Sequence, residues 1–222
     1  MLFKNFGKDD AFGRHAQLKH SVQRAIRGAL LHRRRRVLAA AFGTSLPPPP
    51  SLTSPPPPTS RPPAGQIAEA YPWLVAHGVL EELLPKKADL GVAKLPDHVQ
   101  LLVLNSEPLF FATRDGGWFP TLRLLHKYPD MMPRLRVDRG AIKFVLSGAN
   151  IMCPGLTSPG AAIHDEVPAG TPVAVFAEGK EQALGVGWTA MSTEEMRAVN
   201  RGVGVENLHY LADGLWRSPK LG

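Results

Sequence analysis

The residues that could do covalent or metal chemistry in this chain are few and badly spaced for it. Eight histidines stand at 15, 20, 32, 77, 98, 126, 164 and 209, and none falls in a Cys-His or His-Glu-x-x-His spacing that would turn two ligands to one metal. Cys153 is the single cysteine, so neither an intramolecular disulfide nor a cysteine cluster for zinc can form. A catalytic thiol needs a lowered pKa and a base beside it. Cys153, between Met152 and Pro154, reads instead as a small buried hydrophobe. Gly-x-Gly-x-x-Gly and the phosphate-binding loop signature are both absent from the sequence. The reading is a non-enzyme with no cofactor, no metal and no small-molecule substrate.

What remains is the chemistry of holding a ligand. The run GAIKFVLSGANIMCPG, residues 140–155, is rich in glycine. Glycine lets another backbone approach closely, and exposed amides can hold a phosphate. The candidate surface is Gly148, Ala149, Pro154 and Gly155, with Lys143 and Lys180 as nearby phosphate partners. The alternative is that these glycines only cap a helix and close turns, that Lys143 is solvated, and that Pro154 is a turn residue. A second set of cations is Lys86, Lys87, Arg123, His126 and Lys127. Leu122, Leu124 and Leu125 claim one face of the TLRLLHK segment for the core, which leaves its cations the other face or plain solvent.

The net charge of +7 points to nucleic acid, but its distribution weakens the point. Residues 33–66 hold five arginines (33–36 and 61) and no acid; without them the charge falls to +2. From residue 133 onward acids and bases balance. A nucleic-acid site here is therefore a local patch. Hydrophobic residues make up 44% of the chain, enough for a core. No run of about 18 apolar residues is present, so no membrane span is expected. MLFKNFGKDD lacks the apolar stretch of a signal peptide, and a cytoplasmic setting fits best.

The elements that must carry these residues can be read along the chain. Leu18, Val22, Ile26 and Leu30 recur at helical spacing within residues 14–31. Ten prolines between Pro47 and Pro63 then exclude helix or sheet interior, so residues 33–66 read as a proline-rich insertion. Order resumes near Ile67. Residues 71–74 and 79–84 suggest helices stopped by Pro85, and 91–104 and 109–112 suggest strands around a turn at 105–108. Another turn falls at 115–117, with Trp118 beside it either in the core or exposed for a partner. Thr121 can cap a helix to Lys127. Asp138 can cap a helix over 139–147, with Ile142, Val145 and Leu146 on one face and Gly148 in the left-handed position after it. A strand over 151–154 would enter a tight Pro154-Gly155 turn. Strands follow at 173–177, 183–189 and 203–211. Ser192 and Glu195 form a capping box for a helix over 193–200, ended by Gly202. The fold class is α+β, an α+β N-terminal part followed by a small, mostly β barrel.

The spacing Gly140-Ala141, Gly148-Ala149, Ile151-Met152, Pro154-Gly155, with Gly179, Ala183, Gly185 and Gly187 later, resembles the PUA domain. PWL (72–74), PKK (85–87), LFF (109–111), PTLRLLHKYP (120–129) and ENLHYLADGLW (206–216) resemble the malignant T-cell-amplified-sequence family of translation factors. The resemblance covers the chain except residues about 32–66, which are either a lineage-specific insertion or translated intron sequence. It implies a pre-PUA domain over 1–131, a PUA pseudo-barrel over 132–212 and a tail over 213–222. It also implies a cytoplasmic protein on small-subunit rRNA, facing the acceptor end of tRNA and paired with density-regulated protein. The implied roles are re-initiation, non-standard initiation and recycling of deacylated tRNA. The N-terminal cations would meet rRNA and the PUA set the tRNA end. The alternatives are an RNA-binding accessory subunit of an RNA-modifying enzyme, and a scaffold that uses the proline block.

Overall fold

A computed structural model describes residues 3, 16–17, 63–85, 90–114 and 117–221. The helix read over 14–31 and the proline-rich block lie outside the described residues, save for Ala16–Gln17, which form a short strand β1 and not the expected helix, and residues 63–66. Those four residues are helical: α1 (Pro63–Ala70) starts earlier than composition suggests. Proline has no amide to lose in a first turn and its φ is already helical. α2 (Pro72–Ala76) and α3 (Val79–Leu83) follow, separated by Gly78 at φ +72°.

β1 edges an antiparallel sheet with β2 (Leu90–Lys94), β3 (Gln100–Leu104), β4 (Glu107–Ala112) and β5 (Trp118–Pro120), in that order. Asn105 and Ser106 alone turn β3 into β4, both at positive φ (49° and 66°). Such a turn matches the twist of the strands it joins, so Glu107 and Pro108 belong to β4 and not to the turn. Trp118 is buried, which removes it as an exposed partner contact. Thr121 caps α4 (Leu122–Lys127), its hydroxyl accepting from Leu124 N at 3.4 Å.

The second sheet has six strands: β6 (Arg134–Val137), β7 (Ile151–Met152), β8 (Ala162–Ile163), β9 (Pro172–Ala177), β10 (Ala183–Thr189) and β11 (Val203–Tyr210). Their order is β7-β11-β10-β9-β6-β8, with only the β6–β9 pair parallel. Four helices attach: α5 (Arg139–Leu146), α6 (Pro154–Thr157), α7 (Thr193–Val199) and α8 (Gly214–Arg217). Three local expectations change. Pro154 opens α6 and is not the corner of a tight turn, because proline again takes a first helical position. Asn200, at φ 45°, ends α7 before Gly202 is reached; asparagine tolerates the left-handed region. Leu146 is 40% exposed while Val145 is buried, since adjacent helix residues point about 100° apart.

The two sheets share a core. Val173, Val175 and Ala177 of β9 pack inside the barrel with Leu135, Val145 and Val205. Ala174 and Phe176, on the other face of β9, join Ile67, Phe111, Phe119 and Leu122 of the first sheet and its helices. β9 is thus buried on both sides, which is why its sequence is continuously apolar rather than alternating. Residues 213–221 are no loose tail. Leu215 and Leu221 are buried in the shared core, and Leu221 N donates to Ser106 O at 2.8 Å. Among the described residues, no helix is long and apolar enough to cross a membrane.

Candidate nucleic-acid interface

α5 forms because Asp138 stands before it. Asp138 Oδ1 accepts from Ala141 N at 2.7 Å, and Oδ2 accepts from the Ser158 hydroxyl at 2.6 Å. The bond from Ser158, helped by those from Ala141 and Gly140, holds the Asp138 carboxyl below the usual carboxylate range against the opposing effect of desolvation. Gly148, at φ +84°, reverses the chain after α5, and Ala149 N donates to Phe144 O at 3.0 Å. The buried Asn207 of β11 then fastens the loop. Its Nδ2 donates to Val145 O at 3.0 Å and Ala149 O at 3.2 Å, and its backbone N donates to Asn150 Oδ1 at 3.1 Å.

These bonds leave an open groove of about 630 Å³ between α5, β7 and α6, with Ala141, Phe144, Met152 and Pro154 in its walls. Lys143, Ala149, Pro154 and Gly155 of the anticipated set all line it. Gly155 also has a packing role, since a Cβ there would lie 3.2 Å from Ala141 Cβ where α6 crosses α5. Gly148 is buried against Tyr210 and does not line the groove. Lys180 lies elsewhere, in a second cleft of about 470 Å³ across α5 with Arg139, Lys143 and Glu178. Arg139 Nε is 3.8 Å from Glu178 Oε1. Lys143 borders both clefts.

The N-terminal cations are not gathered in this way. Arg123 Nη2 donates to Trp216 O at 2.7 Å, and its guanidinium carbon lies 4.4 Å from the Trp216 ring centroid. His126 Nε2 donates to Ala183 O at 2.8 Å. Both groups therefore bind the C-terminal half of the chain across the seam. Lys127 faces outward and pairs with Glu107 at 3.2 Å. Lys86 and Lys87 lie outside the described residues. Sequence reasoning missed Asn207 and Ser158, single polar residues whose partners lie far along the chain, and Phe144, which the apolar face of Ile142, Val145 and Leu146 leaves out.

Cys153 is fully buried, and burial pushes its thiol up, away from nucleophilic use. No group of three or more His, Cys, Asp or Glu among the described residues could hold a metal.

Asp138→Ala is expected to cost about 1 kcal/mol, the usual value of a helix N-cap, read from the denaturant midpoint. Because the folded carboxyl is depressed, its contribution is full above the ordinary carboxylate range and fades as pH falls through the folded value. The gap between wild type and variant should therefore close in acid. A gap that widened as the pH fell would contradict the capping role.

Two family models match the chain, a Pre-PUA-like domain over residues 64–129 and a PUA domain over residues 133–211. The chain is 44% identical over 220 residues to the malignant T-cell-amplified sequence 1 homolog of Drosophila melanogaster, covering 98% of each chain. It is 52% identical over 151 residues to human malignant T-cell-amplified sequence 2, covering 68% of this chain and 82% of that protein. Among solved structures it is similar to a hypothetical protein of Pyrococcus horikoshii, with a TM-score of 0.55 and 26% identity, covering 69% of this chain and 90% of the other.

Proposed function

The chain belongs to the malignant T-cell-amplified sequence family, and from that premise we propose that it is a non-catalytic factor acting on the small ribosomal subunit. A member of this family with a PUA domain is an RNA-binding, translation-related protein. The finer reading is ours. The protein works in the cytoplasm as a heterodimer with density-regulated protein, in re-initiation, non-standard initiation and recycling of deacylated tRNA. Its PUA groove receives the acceptor end of the tRNA, and the pre-PUA domain lies on rRNA through Lys127, Lys86 and Lys87.

The observation that carries the RNA reading is the groove beside α5, where Lys143 stands over an apolar cleft in an otherwise charge-balanced half. The acid at its edge, Asp138, has both oxygens occupied by the protein's own donors. Binding by shape and a few phosphates suits such a site better than a broad field of charge.

The test is sedimentation of the purified full chain with small ribosomal subunits, with and without density-regulated protein. Co-sedimentation at low salt is expected. A protein that stays in the supernatant under both conditions refutes the reading. For RNA alone, Lys143→Ala should lower the slope of log affinity against log salt by roughly 0.7–0.9, the loss of one phosphate contact. An unchanged slope would remove Lys143 from the interface.

A further inference from the structure

At the end of β6 opposite α5 lies another open cleft, of about 630 Å³, lined from both halves of the chain. Tyr71, Pro72 and Trp73 line it from the junction of α1 and α2, Met132 and Pro133 from the segment before β6, and Pro172 from β9. We infer that the chain's own proline block fills this cleft, with Pro55–Pro58 lying across Trp73 and Pro72 as an extended polyproline stretch. The inference does not depend on the RNA reading. It gives the block a use inside the chain and not as bait for a proline-binding partner.

The walls suit proline. Proline runs take the polyproline-II form with little further loss of entropy, and apolar grooves with aromatic walls are where such runs dock. Trp73 is half-buried, and the His77 ring stacked on it at 4.1 Å holds it in place. The reach suits the block as well. α1 begins at Pro63 and ends at Ala70, which lines the cleft, about 11 Å along the helix axis. A chain doubling back from Pro63 covers that length in about four extended residues, at about 3.1 Å each. Thr59–Pro62 are those residues, and Pro58 is the next. Pro50 stands eight residues further, about 25 Å, and overshoots the cleft. The charges agree. Asp130 and Asp165 stand in the lining, while Arg134, its one lysine or arginine, is paired with Asp130 and lies 5.3 Å from the Phe176 ring centroid. Residues 33–66 carry five arginines and no acid, so they approach these carboxylates without the repulsion that an RNA phosphate would meet. A tethered segment acts at a millimolar effective concentration, so a contact too weak to hold a separate peptide still fills the cleft.

The experiment uses the full chain in two forms, wild type and one in which all four of Pro55–Pro58 are changed to serine. The probe is a fluorescent peptide with the sequence of residues 51–60, SLTSPPPPTS, followed by its anisotropy. The serine form should bind the peptide, and wild type should bind it at least about tenfold more weakly, because its own block competes at millimolar effective concentration. Adding Trp73→Ala to the serine form should remove the binding. A second measurement needs no change to the block. A nitroxide on Thr53→Cys, with Cys153 buried and out of reach of the label, should broaden the amide signals of Trp73 and Thr171. Absence of that broadening overturns the inference. So does peptide bound equally by both forms, which would make the cleft a site for proline ligands of another protein. Peptide bound by neither form also overturns it and leaves the cleft to a second copy of the chain or to RNA.

Discussion

Asp213→Ala is expected to lower stability by about 3–5 kcal/mol, seen as a large drop in the denaturant midpoint. The carboxylate is buried, and all three of its donors lie within four residues of it in the chain. Oδ2 accepts from His209 Nδ1 at 2.7 Å and from Tyr210 N at 3.2 Å, and Oδ1 accepts from Trp216 N at 2.8 Å. A carboxylate only accepts, so Nδ1 of His209 carries the proton. Truncation strands three donors where water does not reach, and each costs about 1–3 kcal/mol. His209 is 1% exposed, with its ring edge-on to Phe3 and Phe111 at 5.8 and 5.7 Å, so it cannot turn to solvent. Asp213→Asn keeps one acceptor oxygen but puts an NH₂ against donors, so it should recover only part of the loss. Since the seam and barrel share one core, both halves should melt in a single transition. A loss below about 1 kcal/mol, or two separated transitions in wild type, would contradict this account.

The same seam marks where the sequence stops being readable. Thr121, Asp138 and Ser192 were all legible as caps because each bonds an amide three residues away. The strands 172–177 and 183–189 were legible for the same local reason, an apolar run broken by a glycine turn. Arg123 and His126 read from the sequence as cations for rRNA. Their partners, Trp216 O and Ala183 O, lie 93 and 57 residues away, and no local pattern announces a carbonyl at that distance. Residues 213–221 read as a tail because Leu215 and Leu221 are too few to show a period. What they pack on is a sheet formed a hundred residues earlier.

The groove was legible in outline and not in its walls. Glycine spacing located Ala149, Pro154 and Gly155, since backbone demands leave a residue-type signature. Phe144 and Met152 carry no such signature: the apolar face of the helix runs through Ile142, Val145 and Leu146 without Phe144, and the two-residue strand that holds Met152 is too short to alternate. One clue was available. Phe144, Val145 and Leu146 are consecutive, and three successive helix positions span about 200°, wider than one buried face. At least one had to face solvent, and the structure exposes two. Parallel pairing hides β6 in a similar way. Its Arg-Leu-Arg-Val alternation is short, and its partner β9 lies a long crossover away.

Gly148→Val should cost roughly 2–5 kcal/mol and weaken RNA binding as well, because two independent demands meet at that residue. The first is conformational. At φ +84° an L side chain is strained by about 1–2 kcal/mol, and a β-branched one by no less. The second is space. An added Cβ would lie 2.8 Å from Tyr210 Cε1 and 2.9 Å from its hydroxyl, and Tyr210 is buried and cannot swing away freely. Overpacking of this kind usually costs about 1–3 kcal/mol. Gly148→Asn separates the two, since asparagine accepts the left-handed region but still carries the Cβ. If Asn costs as much as Val, contact with Tyr210 dominates, and Tyr210→Ala in the same chain should recover more than additivity allows. If Asn is nearly silent, the backbone dominates. The functional consequence follows from the bonds that Gly148 closes. Its amide donates to Val145 O and the next amide to Phe144 O, so a displaced turn moves Phe144 and Ala149 in the groove wall. A Gly148→Val protein with wild-type midpoint and wild-type RNA affinity would show that the turn does not position the groove.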